Sequence, residues 1–216
     1  MKPYYRVYCT PLLPQPGSID CDDPAIRELV HKPPETRHGG WTLWSAREIR
    51  RTPEGLEALG LDDRRLILLT NGHIEFWMPC LDETFQWGQA ESERKLHPWL
   101  YDYPVCELPV NFMRLAKAVY DHAQLDDGII AGEGFYAIKG FILMPYGPRT
   151  MAYHMPSKSG VPRYQLEDLQ TVPVQASKDF VPDHVAYDMV TQVYSAFGYR
   201  SDDIRLFDEN HCFQSL

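Results

Sequence analysis

The stretch "TNGHIEFW" (residues 70–77) sets a His and a Glu two positions apart. Residues two apart on a β-strand point the same way, so His73 and Glu75 share a face. They could act there as an acid–base pair or as two metal ligands. The same alternation sends Ile74 and Phe76, with Leu68 of the preceding run, to the opposite face to build a core. His73 and Glu75 are then left toward solvent, and the stretch reads as a hairpin with a polar outer face. "GEGFYA" (132–137) has the spacing of the Gly-x-Gly-x-x-Ala dinucleotide fingerprint. That fingerprint needs a helix behind it, because the helix N-terminus holds the pyrophosphate. The strand-like "FYAIKGFILMP" follows instead, so Gly132 and Gly134 are expected to make a tight turn. "SERK" (92–95) matches a Ser-x-x-Lys nucleophile–base spacing, but it sits in a polar run and reads as a solvated helix face.

The eight histidines, His31, His38, His73, His97, His122, His154, His184 and His211, are isolated from one another. None has a second His or a Cys at the spacing of zinc motifs, although Cys212 directly follows His211. We therefore expect no metal site and no cofactor. "AIK" (137–139) has the lysine of a nuclease strand without its acid. Asp126, Asp127 and Glu133 lie near it, which keeps a metal-dependent hydrolase or nuclease with a spatially assembled Asp/Glu/His site as an alternative reading. Neither a Gly-x-Ser-x-Gly elbow nor a phosphate-binding Gly-x-x-x-x-Gly-Lys loop occurs.

Two local compositions point to binding rather than catalysis. Arg47, Arg50, Arg51, Arg64 and Arg65 form a basic cluster that could contact phosphates. "PYGPRTMAYHMP" (145–156) gathers Arg149, Tyr146, Tyr153 and His154 in a Pro-rich loop, a composition typical of interfaces. With Trp41 and Trp44 of "WTLW" these residues make the candidate binding surface.

The elements that must position such residues follow from pattern. "YYRVYC" (4–9) reads as a strand. Asp23, Pro24 and Pro33 frame a short helix. "TPEGLEALG" (52–60) is expected as a short helix, with a pair of short strands around Pro53-Gly55 as the alternative. The Asn-Gly pair predicts a type I′ hairpin between strands at 65–70 and 73–78. Residues 82–103 read as partly helical. The 3–4 spacing of Phe112, Leu115, Ala116, Val119, Tyr120 and Ala123 predicts a helix over 108–123. Residues 128–145 read as two strands around Gly132-Glu133-Gly134. Residues 146–181 read as a loop or linker, 182–198 as a second amphipathic helix, and "IRLF" as a closing strand. Interspersed strands and helices with antiparallel hairpins predict an α+β fold, a mixed or antiparallel sheet with helices packed on one face. We read residues 1–216 as a single domain, with 146–181 as the place for any sub-boundary.

The 216 residues are 44% hydrophobic and 12% aromatic, with 13 Tyr and 5 Trp, an ordinary globular composition with an aromatic surplus. A net charge of −9 repels phosphate backbones at long range, which disfavours nucleic acid as a partner. Cys9, Cys21, Cys80, Cys106 and Cys212 are odd in number and hold no C-x-x-C pair, which suggests free thiols in a reducing cytoplasm. No stretch has the length of an apolar membrane span or signal core.

The segments "YYRVYCTPLLP", "GGWTL", "NGHIEF", "PVCELPVNFMRLAKAVY", "AIKGFILMPY" and "VAYDMVTQVYSAFGY…IRLFDENHCF" resemble, in order, the C-terminal region of bacterial proteins loosely labelled ATP-binding. In those proteins a Schlafen-type, Alba-like domain comes first, and the family's functional residues belong to that domain. The resemblance therefore implies an accessory domain, part of a defence or regulatory system, and transfers no site residue. These observations lead us to expect a cytoplasmic, non-catalytic accessory module that binds a protein partner, a second copy of itself or a small ligand. The hydrolase and the Arg47–Arg65 nucleic-acid site are the alternatives.

Overall fold

A computed structural model describes residues 2–36, 43, 48–87, 89, 91–94, 98–144 and 163–214. Strand β1 (Tyr4–Pro11) alternates half-buried and buried positions along its whole length. That period of two follows from Tyr5, Val7 and Cys9 facing one way and Tyr4, Arg6 and Tyr8 the other. Helix α1 (Pro24–His31) starts as expected: the Asp23 carboxylate accepts from the Ala25 amide at 2.7 Å and Pro24 takes the first turn. Strands β2 (Glu48–Arg51) and β3 (Gly55–Leu59) form a hairpin. The helix expected over 52–60 is therefore absent, and the two-strand alternative holds. Thr52 does not cap a helix; its amide bonds to the Gly55 carbonyl and its hydroxyl accepts from the Gly55 amide to close the turn.

Strands β4 (Arg65–Leu69) and β5 (Ile74–Pro79) flank the Asn-Gly pair. Only Gly72 has a positive φ there (+88°). The Gly72 amide bonds to Leu69 and the Leu69 amide to His73, so the loop is a three-residue hairpin with its left-handed residue last, not a type I′ turn. A single turn of helix, α2 (Glu91–Arg94), precedes β6 (Trp99–Tyr101). Helix α3 (Asp102–His122) begins six residues before its predicted start and carries Pro109 inside it. Its first turns are wholly buried, and that packing outweighs the lost hydrogen bond. Strand β7 (Ile129–Tyr136) runs straight through Gly132-Glu133-Gly134, so the expected turn is not there. β8 (Ile142–Met144), β9 (Leu169–Gln170) and β10 (Val174–Ala176) follow, then α4 (Pro182–Ala196). "IRLF" forms no strand; Phe207 makes one isolated bridge, to Phe213.

The fold is α+β. The main sheet runs β10-β7-β1-β5-β4-β3-β2, with β9 beside β10 on β7, and all its pairings are antiparallel. A parallel pair, β6 with β8, forms a second small sheet. Residues 169–176, expected as linker, thus extend the main sheet at the β7 edge. Helices α3 and α4 pack together, α1 packs on α3, and the three cover the sheet face that carries Val7, Cys9, Phe76, Leu66 and Ala131. None of the described helices is long and apolar enough to cross a membrane.

Candidate functional site on the open sheet face

The other face of the sheet carries the side chains that alternate away from the core. The register sets three rows across the strands. One row runs Gly132, Tyr8, Glu75, Ile67, Glu57, Arg50; the next runs Gly134, Arg6, Trp77, Arg65, Leu59, Glu48. The third is Tyr136, Tyr4, Pro79. The sequence places large rings beside two glycines, and the geometry shows why. A Cβ on Gly132 would come within 2.7 Å of the Tyr8 hydroxyl, and one on Gly134 within 3.0 Å of the Tyr136 ring. The glycines let both rings lie down on the β7 backbone.

The rings and one cation form a continuous ladder. Tyr4 stacks between Trp77 (centroids 5.0 Å) and Tyr136 (4.6 Å). The Arg6 guanidinium lies 5.1 Å from the Tyr8 ring and 5.1 Å from the Trp77 ring. Glu75 accepts from Arg6 Nε at 2.9 Å and Nη2 at 2.6 Å, both on one oxygen. His73 Nε2 lies 3.5 Å from that oxygen, and its ring stacks on Tyr8. Desolvation alone would raise the Glu75 carboxyl, but the hydrogen bonds from Arg6 and His73 and the Arg6 charge hold it down at about 2. Burial, Tyr136 and the Asp168 carboxylate push the Tyr4 phenol up, against Arg6, which lowers it. His73 and Glu75 share the outer face as expected, but Glu75 is buried rather than left to solvent, and it holds Arg6 between aromatic rings. Such an arrangement presents a preorganised row of half-buried, mutually stacked rings with one delocalised cation; its chemistry is stacking and hydrogen bonding.

The residues singled out from sequence fall differently. Trp41, Trp44, Arg47, Tyr146, Arg149, Tyr153 and His154 lie outside the described residues. Of the basic cluster, Arg50 pairs with Glu48 at 2.8 Å and Arg65 with Glu57 at 2.6 Å on the open face. Arg51 pairs with Asp22 at 3.3 Å, and Arg64 is held by Asp82 at 3.2 Å and by the Leu43 carbonyl. Each of the four therefore faces a carboxylate. The acids near "AIK" do not converge: Asp127 accepts from the Leu13 and Gly128 amides and Asp126 from Lys178, whereas Glu133 points into the core. Among the described residues no three His, Cys, Asp or Glu side chains come together as a metal site.

Sequence reasoning missed Arg6, Tyr4, Tyr8, Trp77 and Tyr136 as a group. The signal was present, since the period-two alternation of β1 already put Tyr4, Arg6 and Tyr8 on one face. Their meeting with Trp77 and Tyr136 depended on which strands pair with β1.

Fold and face define a helix-backed antiparallel sheet with a half-buried aromatic–guanidinium ladder on its other face. No protein-family model matches the chain, nor does any curated protein or any solved structure.

Proposed function

We propose that the chain is a non-catalytic accessory module that docks a protein partner on the open face of its sheet. The observation that carries this reading is the ladder of Tyr136, Tyr4, Trp77 and Tyr8 around the ion-paired Arg6. Tyr, Trp and Arg supply most of the binding energy at protein interfaces, and they do so best in a central patch rimmed by polar groups. Here the Arg65–Glu57 and Arg50–Glu48 pairs supply that rim. Rings already fixed by stacking lose little side-chain entropy on docking. The net charge of −9 and the carboxylate beside each described arginine of the basic cluster weigh against a phosphate backbone as the partner. Resemblance to an accessory region behind a Schlafen-type domain points the same way. So do the unbridged cysteines, which suit the reducing cytoplasm.

The test is affinity capture from the source cells with the tagged wild type, Trp77→Ala and Tyr136→Ala, with and without nuclease. We expect a stoichiometric protein partner that survives nuclease and falls at least tenfold, about 1.4 kcal/mol, in both variants. Circular dichroism establishes that the variants are folded. The same partner retained at the same level by both folded variants would overturn the assignment.

A further inference from the structure

The β9 end of the ladder differs from the rest of the face. Glu75, Glu57 and Glu48 each carry an arginine. Asp168, one residue before β9 and therefore one step beyond the Phe135–Leu169 pair, is exposed. It accepts from the Ala137 amide at 2.9 Å, and no described cation pairs with it. Continuing the antiparallel β7–β9 register by that one step sets Asp168 opposite Tyr136, at the end of the Tyr4–Tyr136 stack. A carboxylate next to electron-rich rings is the chemistry that holds a cation. The same ladder already holds one internally, Arg6 over Tyr8 and Trp77. At long range, the net charge of −9 steers cations toward the molecule.

We infer that Tyr4, Tyr136 and Asp168 form a subsite for an arginine or lysine side chain, so that the docked partner is a basic polypeptide segment. This rests on the binding-module reading above and adds the chemical class of the partner. The partner's cation stacks on Tyr136, the end ring of the stack, with Asp168 as its counter-charge, while Tyr4 backs Tyr136 from the β1 side.

The probe is a pair of small molecules of equal shape, N-acetylarginine amide and N-acetylcitrulline amide, the second lacking the charge. They are titrated into the full chain while the ring resonances of Tyr4, Tyr136 and Trp77 are followed by NMR. The arginine derivative should move these resonances with an affinity roughly fivefold above that of citrulline, the weight of one exposed cation–π contact. Asp168→Asn, an exposed change that keeps an acceptor for the Ala137 amide, removes the counter-charge but not the rings and should lower the ratio. Equal shifts from both probes would overturn the proposal, as would a ratio unchanged in Asp168→Asn. A thymidine oligonucleotide that moves the same resonances at lower concentration than the arginine derivative would overturn it in favour of a nucleic-acid face. Loss of captured partner in Trp77→Ala, combined with equal shifts from the two probes, would leave the module reading standing and remove only the basic partner.

Discussion

Glu133 sits on β7 opposite Val7, on the covered face of the sheet, and is wholly buried. One carboxyl oxygen accepts from the Tyr5 hydroxyl at 2.8 Å; the other has no hydrogen-bond partner. Thr171 bonds only the main chain of Glu133 and so closes the sheet edge between β9 and β10 without helping the acid. Desolvation outweighs the Tyr5 bond and pushes the carboxyl up from 4.5 to about 8. At neutral pH it is therefore protonated in the folded chain and ionised in the unfolded one. The folded state binds the extra proton between pH 4.5 and 8, so raising pH through that window favours unfolding; below 4.5 the contribution is fully present. The slope is at most about 1.4 kcal/mol per pH unit. Glu133→Gln should flatten this dependence and raise stability at pH 8, measured by urea unfolding at successive pH values. A wild type and variant with parallel pH profiles would show that the acid is not held neutral. Glu75 works in the opposite sense. Its carboxyl is held down at about 2, and its contribution is present above 4.5 and lost as pH falls toward 2.

At the scale of the element, local pattern and packing part company where glycine is involved. "TPEGLEALG" has the Thr, Pro and Gly of a capped helix, yet Gly55 begins β3. A Cβ there would come within 2.0 Å of the Leu68 carbonyl oxygen on β4. No Cβ fits, so Gly55→Ala should force the β3–β4 pairing apart and cost about 2 kcal/mol or more. Thermal unfolding measures it, and a loss below about 0.5 kcal/mol would mean the strands can shift to admit the methyl group. Gly132 and Gly134 illustrate the same point within β7. As sequence they signal a turn; in the sheet they are the floor on which Tyr8 and Tyr136 lie. Helix α3 shows the converse, with Pro109 tolerated because Val105, Leu108, Phe112 and Met113 around it are fully buried.

At the scale of the whole molecule, the C-terminal segment is tied to the helical layer through one carboxylate. Asp183 in the first turn of α4 accepts from Arg114 of α3 at 3.1 and 3.0 Å and from the Phe213 amide at 3.0 Å. Phe213 then packs edge-on against Tyr103 and Phe207. Asp183→Asn removes the charge from all three bonds and should cost about 2 kcal/mol, with faster hydrogen exchange at the Phe213 amide. Unchanged exchange at Phe213 would show that the aromatic packing alone holds the segment.

The α+β class, α1 with its Asp23 cap, β4 and β5, and the period of α4 were all legible from sequence. Each depends on contacts within a few residues of chain: alternation, 3–4 spacing, a cap, a turn. Also legible was the outward side of His73 and Glu75, because one buried face dictates the other. What only the tertiary structure decided was which outward faces lie side by side. Tyr4, Arg6 and Tyr8 are separated from Trp77 by about seventy residues and from Tyr136 by about one hundred and thirty. Nothing local couples them; strand pairing does, since a β-strand's neighbours are chosen by hydrogen bonding and core packing across the whole chain. The same pairing put Glu133 in the core and laid two tyrosine rings on two glycines, because those residues' surroundings belong to other strands.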